Sequence, residues 1–378
     1  MSVPIPFNKP YFSGNETRYI EQAVRSGKIS GDGLFTQRVH QFFEQQLGFG
    51  KVLLTTSCTD ALEMAALLLN IQPGDEVIMP AFTFVSTANA FVLRGAKVVF
   101  ADSTALNPNL DAAALGGLVT PRTRVVVPVH YAGIACDMDA IQALADRHGL
   151  VVVEDAAHAI DSYYCGRALG SLGTLGAFSF HETKNIISGE GGMLAINDQK
   201  LRTRAEIIRE KGTTRTAFFR GEVDKYGWVD VGSSFLPSDI IAAYLWAQIE
   251  NLTDIQLQRR GIWQKYYTAL APLIQHGVSL PVLPDYATNN GHLFYLICRS
   301  LAERTALISY LKQRGIWAVF HYQALHQSPY YATRHDGRVL PWADHYTDCL
   351  VRLPLFYELS ENDQGRIIDA VLSFYRTY

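Results

Sequence analysis

Short apolar runs alternate with amphipathic stretches between about residue 50 and residue 157. Strands are predicted at KVLLTT (51–56), DEVIMP (75–80), AKVVFAD (96–102), RVVVPVH (124–130) and LVVVEDAA (150–157), with helices between them at 60–70, 84–95 and 138–149. The strand-like runs are apolar at consecutive rather than alternate positions, which is typical of strands covered on both faces. The pattern therefore predicts an α/β domain with a mainly parallel sheet. For the helix at 60–70, Asp60 and Glu63 have the spacing of an N-terminal capping pair.

The regular alternation of predicted strands and helices ends at about residue 235. A long helical stretch at 238–274, bent or broken, precedes strand-like pieces at 292–299 and 315–322 and a last helix, ENDQGRIIDAVLSFYRTY. A chain of 378 residues is longer than the length up to which one hydrophobic core usually serves the whole protein. We therefore predict a large α/β domain at 1–250 and a smaller α+β domain at 251–378.

The composition of the chain argues against nucleic-acid-binding and membrane proteins. The chain is 48% hydrophobic and 18% charged, and its net charge of −3, without a basic run, argues against nucleic acid as a partner. It contains no apolar run of about 18 residues and no signal-peptide pattern, so we expect no membrane association. The five cysteines are scattered, which favours free thiols in a reducing cytoplasm.

Ligands of open parallel sheets bind at the carboxyl ends of strands, and four segments lie at such ends. In TTSCTDALEM, Ser57, Cys58 and Thr59 lead into a helix, where hydroxyls and free N–H groups form an anion site. In PAFTFVSTANA, Phe84 begins a helix and can stack on a flat ring. Taken alone, the first segment is better explained by helix capping and the second by core packing.

The other two segments carry ionisable side chains. In VVVEDAAHAI, Glu154 and Asp155 end a buried strand, and a buried carboxylate needs a partner such as a protonated ring nitrogen. In FSFHETKNIISGEGG, Lys184 lies in a loop of small residues, where a partly desolvated amine can form a Schiff base with an aldehyde. The ordinary alternatives are a helix-capping acid and a lysine paired with a neighbouring acid.

Together the four segments describe one ligand, with a phosphate, a flat ring with a basic nitrogen, and an aldehyde. That ligand is pyridoxal 5′-phosphate. The 29 residues from Asp155 to Lys184 contain one predicted strand, GAFSF, so both side chains can reach one pocket. No G-x-G-x-x-G follows the first strand and no H-E-x-x-H occurs, so a dinucleotide oxidoreductase and a metal hydrolase are both disfavoured, and no metal site is predicted.

Several segments also resemble a known family. IPFNKP, SGKISGDG, GDEVIMPAFTFVSTANAF, VPVHYAG, EDAAHA, FSFHETKN and RLPLFYELS are similar to segments of the DegT/DnrJ/EryC1/StrS sugar-nucleotide aminotransferases. That resemblance implies the aspartate-aminotransferase-like fold, called fold type I. KVLLTTSCTDALEMAALLLNIQPGDEVIMP, HETKN and EKGTTRTAFFRGEVDKYGWVDVGSS most resemble the subgroup that makes dTDP-4-amino-4,6-dideoxygalactose.

The resemblance implies roles for individual residues. Lys184 corresponds to the lysine that bonds the cofactor, Asp155 to the acid at its ring nitrogen, and His158 to the neighbour of its phenolic oxygen. Phe84 corresponds to the stacking aromatic, and His181 lies near the sugar or the bonded lysine. The phosphate-binding residues it implies are Ser57, Cys58, Thr59 and Ser179.

Substrate-binding residues are less clearly marked. Arg209 and Lys211, in a basic segment, fit a nucleotide diphosphate, with a solvated helix end as the alternative. The segment FHYQALH resembles a family segment near the substrate and is otherwise explained by packing between the domains; its candidates are His321, Tyr322 and His326. Where many members have G-x-N-Y-R, whose Asn reaches the partner's phosphate, this chain has VGSSFLP with Ser234, which has a shorter reach.

The resemblance implies a homodimer with shared active sites that transfers an amino group from L-glutamate to dTDP-4-keto-6-deoxyglucose. The product would be dTDP-4-amino-4,6-dideoxygalactose. The same residues would serve an enzyme that makes the gluco epimer or aminates C3. A dehydratase of this fold has histidine in place of Lys184, and a non-catalytic regulator would need a further DNA-binding segment.

Overall fold

The computed structural model describes residues 3–378 and contains two main sheets, of seven and three strands. Its strands are β1 Val52–Thr55, β2 Glu76–Pro80, β3 Lys97–Ala101, β4 Thr123–Val126, β5 Val151–Asp155, β6 Tyr163–Tyr164, β7 Arg167–Ala168, β8 Leu175–Ser179, β9 Gly192–Ile196, β10 Phe294–Ile297, β11 Val319–Phe320 and β12 Leu350–Leu353. The strands predicted before residue 160 are all present, although β4 is shorter than its apolar run. β6 and β7 form a separate small hairpin.

The helices surround both sheets. They are α1 Glu16–Arg25, α2 Leu34–Gln46, α3 Cys58–Leu68, α4 Val85–Val92, α5 Met138–His148, α6 Arg202–Arg209, α7 Arg215–Phe219, α8 Asp239–Glu250, α9 Leu252–Leu270, α10 Leu301–Gln313, α11 Pro341–Cys349 and α12 Glu361–Thr377. Across residues 3–378, none of them has the length and apolar character that crossing a membrane requires.

The large sheet has the strand order β1-β9-β8-β5-β4-β2-β3. β2 pairs in parallel with β3 and β4, and β5 pairs in parallel with β4 and β8, whereas β9 is antiparallel to β1 and β8. Because β9 opposes both neighbours, β1 and β8 run in the same direction. The carboxyl ends of β1, β2, β5 and β8 therefore meet at one edge, and the predicted mainly parallel α/β architecture is confirmed.

Successive residues of the central strands face two different cores. Val77 and Met79 of β2 pack into one core, and Ile78 between them packs into the other. In β5, Val153 and Val152 divide in the same way. Since side chains alternate across a sheet, both faces can be buried only if every position is apolar. This explains the continuous apolar runs of the sequence.

The start of α3 differs from the sequence prediction. The helix begins at Cys58, and the Oγ of Ser57 accepts a hydrogen bond from the N–H of Asp60 at 3.0 Å. The carboxylate of Asp60 accepts a hydrogen bond from the Thr56 hydroxyl. The predicted capping pair of Asp60 and Glu63 is therefore wrong, because a hydroxyl three residues earlier already caps the helix.

The C-terminal part of the chain forms its own sheet, in the order β10-β12-β11 with both pairings antiparallel. The long helical stretch is broken, as predicted, at Asn251, between α8 and α9. A third core lies beside this sheet, while Tyr295, Tyr331 and Tyr346 belong to a core of the large sheet. The division of the chain at residue 250 stays a prediction. β12 is absent from the sequence prediction, because its four residues include Arg352 and show neither an alternating nor a continuous apolar pattern.

The buried side chain of Glu154 holds the end of β5 in place through hydrogen bonds. Its buried carboxylate accepts hydrogen bonds from the backbone N–H groups of Gly170 at 2.7 Å, Leu172 at 2.7 Å and Gly173 at 2.6 Å. His130 Nε2 lies 2.9 Å from the same carboxylate, and its Nδ1 accepts from the Cys136 N–H, so Nε2 donates. The carboxylate joins β5 to the loop before β8 and to the segment after β4.

We expect Glu154→Ala to lower the free energy of unfolding by about 3–5 kcal/mol, because it leaves several buried donors without a partner. Chemical denaturation followed by circular dichroism measures the change. The control is Glu21→Gln, at a side chain that is 60% exposed, which should change stability by no more than about 0.5 kcal/mol. Equal stability of the two variants would contradict the structural role of Glu154.

Candidate active site

A cavity of about 990 Å³ opens at the carboxyl edge of the large sheet and is closed on its other side by β11 and β12. It is the place where most of the sequence-predicted residues meet. Those that line it are Ser57, Cys58, Thr59, Phe84, Asp155, His158, Ser179, His181, Lys184, His321 and Tyr322. The four strand-end segments singled out in the sequence therefore converge on one space.

The N-terminus of α3 lies directly over β9. A Cβ placed on Gly192 would come within 2.2 Å of the Ser57 carbonyl carbon and 2.4 Å of the Cys58 nitrogen, so only glycine permits this approach. Thr59 Oγ1 donates to Ser86 Oγ at 2.8 Å, which groups hydroxyls beside the free N–H groups of the helix. Helix N-termini of this kind bind anionic oxygens.

Asp155 is 5% exposed and ends β5 at the cavity wall. Its Oδ2 accepts from Thr87 Oγ1 at 2.7 Å and its Oδ1 accepts from the Ala157 N–H at 3.1 Å. Burial raises the pKa of Asp155, and these two donors and the charge of Lys184 only partly oppose it. The carboxylate is therefore held in place but lacks a close cationic partner, and a protonated ring nitrogen would supply one.

Lys184 lies in the loop between β8 and β9, where its N–H donates to the His181 carbonyl at 2.9 Å. Burial lowers the pKa of its amine to about 8, with a further lowering from the charge of Arg352. An amine with this pKa has a much larger neutral fraction near physiological pH than an ordinary lysine. Neutral amines are the nucleophiles that add to carbonyl groups.

His158 presents a single defined hydrogen to the cavity. Burial, aided by the charges of Lys184 and Arg352, lowers its pKa well below the ordinary value, so the imidazole is neutral. Its Nδ1 accepts from the Ala132 N–H at 3.3 Å, which leaves the hydrogen on Nε2. The Tyr322 hydroxyl lies 3.4 Å from this Nε2. His158 can therefore donate to an anionic oxygen in the cavity.

Aromatic rings form one wall of the cavity. Phe84, 55% exposed, lies with its ring centroid 6.0 Å from that of Tyr322. Tyr322 in turn stacks on His321 at 3.6 Å, and Tyr131 Oη lies 2.6 Å from His321 Nδ1. The exposed face of Phe84 suits a planar ligand. These rings, the neutral His158, the acid Asp155, the amine Lys184 and the hydroxyls at α3 together fit pyridoxal phosphate.

His181 and Ser179 occupy the rim of the cavity. His181 is half-buried, and its Nδ1 lies 3.0 Å from Thr183 Oγ1 while its Nε2 lies 3.7 Å from the carboxylate of Glu190. Ser179 Oγ accepts from the His181 N–H at 3.4 Å. Their side chains thus border the entrance, and their roles in binding or catalysis stay predictions.

Other predicted residues lie outside the cavity of their own chain. Arg209 is buried and pairs with Asp32 at 2.6 Å, and Lys211 pairs with Glu210 at 3.2 Å. His326 lies behind the lining, where its Nε2 is 3.3 Å from Asp344. Ser234 is exposed on a surface loop. The structure does not bring these residues together with Lys184.

The sequence analysis missed two residues that line the cavity. Thr87 of α4 is fully buried and bonds Asp155, and it lies within the segment TFVST, three residues after Phe84. Arg352 of β12 faces the cavity from the C-terminal sheet, within RLPLFYELS. Within the part of the chain that the structure describes, no group of three or more His, Cys, Asp or Glu side chains is placed to hold a metal ion.

The model of the DegT/DnrJ/EryC1/StrS aminotransferase family matches residues 10–372. Among solved structures, the chain is similar to the aminotransferase TlmJ from Streptoalloteichus hindustanus, with 30% identity over 99% of both chains and a TM-score of 0.91. It is similar to DesV from S. venezuelae, with 31% identity over 99% of both chains and a TM-score of 0.90. The PLP-form of the putative sugar aminotransferase Spr1654 from Streptococcus pneumoniae gives 26% identity, 99% coverage of both chains and a TM-score of 0.90.

The lowered pKa of Lys184 predicts how its reactivity changes with pH. In protein freed of cofactor, the neutral fraction of the amine should rise with pH and reach half near pH 8, because burial moves the pKa down from 10.5. Labelling with an amine reagent at a series of pH values, followed by mass spectrometry of the Lys184 peptide, measures the midpoint. N-acetyl-lysine amide is the reference, and a midpoint equal to that of this compound would contradict the prediction.

Proposed function

The chain belongs to the DegT/DnrJ/EryC1/StrS aminotransferase family, and from that premise we propose that it aminates dTDP-4-keto-6-deoxyglucose with L-glutamate as donor. The products are dTDP-4-amino-4,6-dideoxygalactose and 2-oxoglutarate. The family depends on pyridoxal phosphate, and Spr1654 has been solved in PLP and PMP forms. The observation that carries the proposal is that Asp155 and Lys184 line the same cavity, next to the N-terminus of α3.

The chemistry divides between the cofactor and the protein. When bound, pyridoxal phosphate supplies an aldehyde that accepts an amino group and a ring that withdraws electrons. The hydroxyls of Ser57 and Thr59, with the N–H groups of α3, would hold its phosphate. Asp155 would face its ring nitrogen, Phe84 would cover its face, and Nε2 of His158 would donate to its phenolic oxygen.

Lys184 has two tasks in this proposal. Its amine would bond the cofactor aldehyde, and as a free amine in the cavity it would accept and return a proton. With a pKa of about 8, this amine can remove the proton from the α-carbon of glutamate and afterwards deliver a proton to C4 of the sugar. Asp155, through its negative charge, keeps the ring nitrogen protonated throughout both half-reactions.

The sugar assignment rests on resemblance and on the size of the cavity. The segments around Ser57, Lys184 and 210–234 resemble the subgroup that makes the 4-amino-galactose nucleotide. A volume of about 990 Å³ is at the upper end of the usual range for ligand pockets, which suits a nucleotide-linked hexose. The gluco epimer and amination at C3 stay open alternatives, because the assigned residues surround the cofactor rather than the sugar. A non-catalytic regulator is the alternative from another class.

A visible absorption band should form when the purified protein is mixed with pyridoxal phosphate, and L-glutamate should bleach it. Lys184→Ala should not form this band, because it lacks the amine that bonds the aldehyde. Adding dTDP-4-keto-6-deoxyglucose to the bleached protein should restore the band, and nuclear magnetic resonance of the product identifies the aminated carbon and its configuration.

The control is Lys265→Ala, at a lysine outside the cavity lining, which should behave like the wild type. A protein that binds pyridoxal phosphate but never bleaches with an amino donor would contradict the aminotransferase and favour the regulator. An axial amine at C4 supports the galacto product, whereas an equatorial one supports the gluco alternative.

We also propose that the chain works as a homodimer, in the cytoplasm. The dimer is supported by apolar side chains that have no cover in the single chain, Trp228 at 84% exposure, Val229 at 59% and Val231 at 45%. They lie in the loop that carries Ser234, the position at which the family contacts its partner subunit. The cysteines are unpaired, which is the usual state in a reducing compartment.

Trp228→Glu should weaken this dimer, because it places a charge where an indole that is 84% exposed in its own chain would be buried at the interface. Sedimentation velocity over a range of concentrations measures the dissociation constant. Trp317→Glu, at another exposed tryptophan (51%) on the C-terminal part, is the matched control. A wild-type protein that is monomeric at micromolar concentration would refute the dimer, and an unchanged constant for Trp228→Glu would refute this interface.

A further inference from the structure

Among residues 3–378, the lysine and arginine side chains that line the cavity are Lys184 and Arg352. Lys184 is committed to the chemistry. Arg352 lies in β12, with Tyr295 and Val319 as its cross-strand neighbours. It therefore approaches the cavity from the C-terminal sheet, whereas Asp155 and Lys184 belong to β5 and to the loop after β8 of the large sheet.

The guanidinium of Arg352 is held in place but has little of its hydrogen-bonding capacity used. Its Nη2 donates to the Phe320 carbonyl at 3.1 Å, and its Cζ lies 4.7 Å from the ring centroid of Phe7. Its Nε is buried and has no hydrogen-bond partner in the structure. A guanidinium has five donors, so most of them are available to a ligand.

The charge of Arg352 is also uncompensated. Burial lowers the pKa of Arg352, and the groups that oppose this are the phenols of Tyr131 and Tyr322 rather than a carboxylate. Within the described part of the chain, its side chain takes part in no ion pair. Leaving a buried cation without a counter-charge is costly, so the site is suited to an anion that arrives with the substrate.

Resting on the proposed function, we propose that Arg352 binds the α-carboxylate of the amino donor, which makes the donor an α-amino acid. A guanidinium and a carboxylate are both planar and pair through two parallel hydrogen bonds. Phe7, which stacks on the guanidinium, would hold its plane while the carboxylate enters and leaves.

The position of Arg352 favours a carboxylate over the sugar's diphosphate. Its charge is close enough to lower the pKa of Lys184, His158 and His321. The α-carboxylate is attached to the carbon that loses its proton to Lys184, so it must lie near both groups. In the other substrate the diphosphate is separated from the reacting C4 by the width of the hexose ring. The side-chain carboxylate of glutamate is likewise farther from the reacting carbon.

The test compares the two half-reactions in the holoenzyme, because only one of them involves a carboxylate. Bleaching of the visible band is followed with L-glutamate and, separately, with the 4-amino sugar nucleotide. We expect Arg352→Gln to lower kcat/KM for L-glutamate by about 10- to 100-fold, the loss typical of a charge-assisted pair, and to leave the sugar half-reaction unchanged. Arg352→Lys, which keeps the charge but not the fork, should show a smaller loss.

The matched control is Arg314→Gln. Arg314 also donates to one backbone carbonyl, that of Tyr310, and stacks on one ring, but it lies outside the cavity lining. A substrate control uses L-isoglutamine, in which an amide replaces the α-carboxylate. The wild type should prefer L-glutamate strongly, and Arg352→Gln should lose most of that preference. Circular dichroism establishes that each variant is folded, and Arg352→Lys carries the comparison if Arg352→Gln is not.

Calorimetry adds a readout that is independent of turnover. α-Methyl-L-glutamate, which has no α-proton to lose, should bind the wild type and bind Arg352→Gln at least about tenfold more weakly. Equal affinity, or an unchanged glutamate half-reaction, overturns the proposal. A loss confined to the sugar half-reaction also overturns it and assigns Arg352 to the diphosphate. Failure of the wild type itself to bleach with any donor refutes the aminotransferase instead, and the calorimetric comparison still decides whether Arg352 binds a carboxylate.

Discussion

Two consecutive carboxylates at the end of one buried strand are the constraint on which the site depends. Glu154 and Asp155 point to opposite faces of β5, as neighbours in a strand must. The protein gives Glu154 every donor it can use, from His130 and three backbone N–H groups. Asp155 receives only the Thr87 hydroxyl and one N–H. The first carboxylate therefore builds the sheet edge, and the second remains available to a cationic ligand.

The same distinction between satisfied and unsatisfied charge applies throughout the cavity. Burial keeps His158 and His321 neutral and brings the pKa of Lys184 down to about 8. Several protonated groups in the cavity would repel a cationic ring. The neutral imidazoles instead supply directed donors and flat surfaces, so the few remaining charges each have a defined direction and a defined partner in the ligand.

Much of this could be predicted from the sequence because it depends on local pattern. Continuous apolar runs predict the strands that are buried on both faces. The positions just after strands predict a common site for Ser57, Phe84, Asp155 and Lys184. Other features depend on contacts that no local pattern encodes. The cap of α3 lies outside its periodic segment, and Thr87 looks like any helix threonine until it meets Asp155 across 68 residues.

Arg209 and Arg352 show why composition and spacing do not identify a binding residue. Arg209 belongs to a basic segment and Arg352 stands alone between apolar residues, so sequence favours the first as an anion site. Folding reverses this order, because Asp32 neutralises Arg209 while nothing among the described residues neutralises Arg352. A binding arginine is identified by whether another side chain of the folded protein neutralises its charge. This balance of charge is set by residues from distant strands, and under the proposed function it would divide the chemistry and the recognition of the donor between the large and the small sheet.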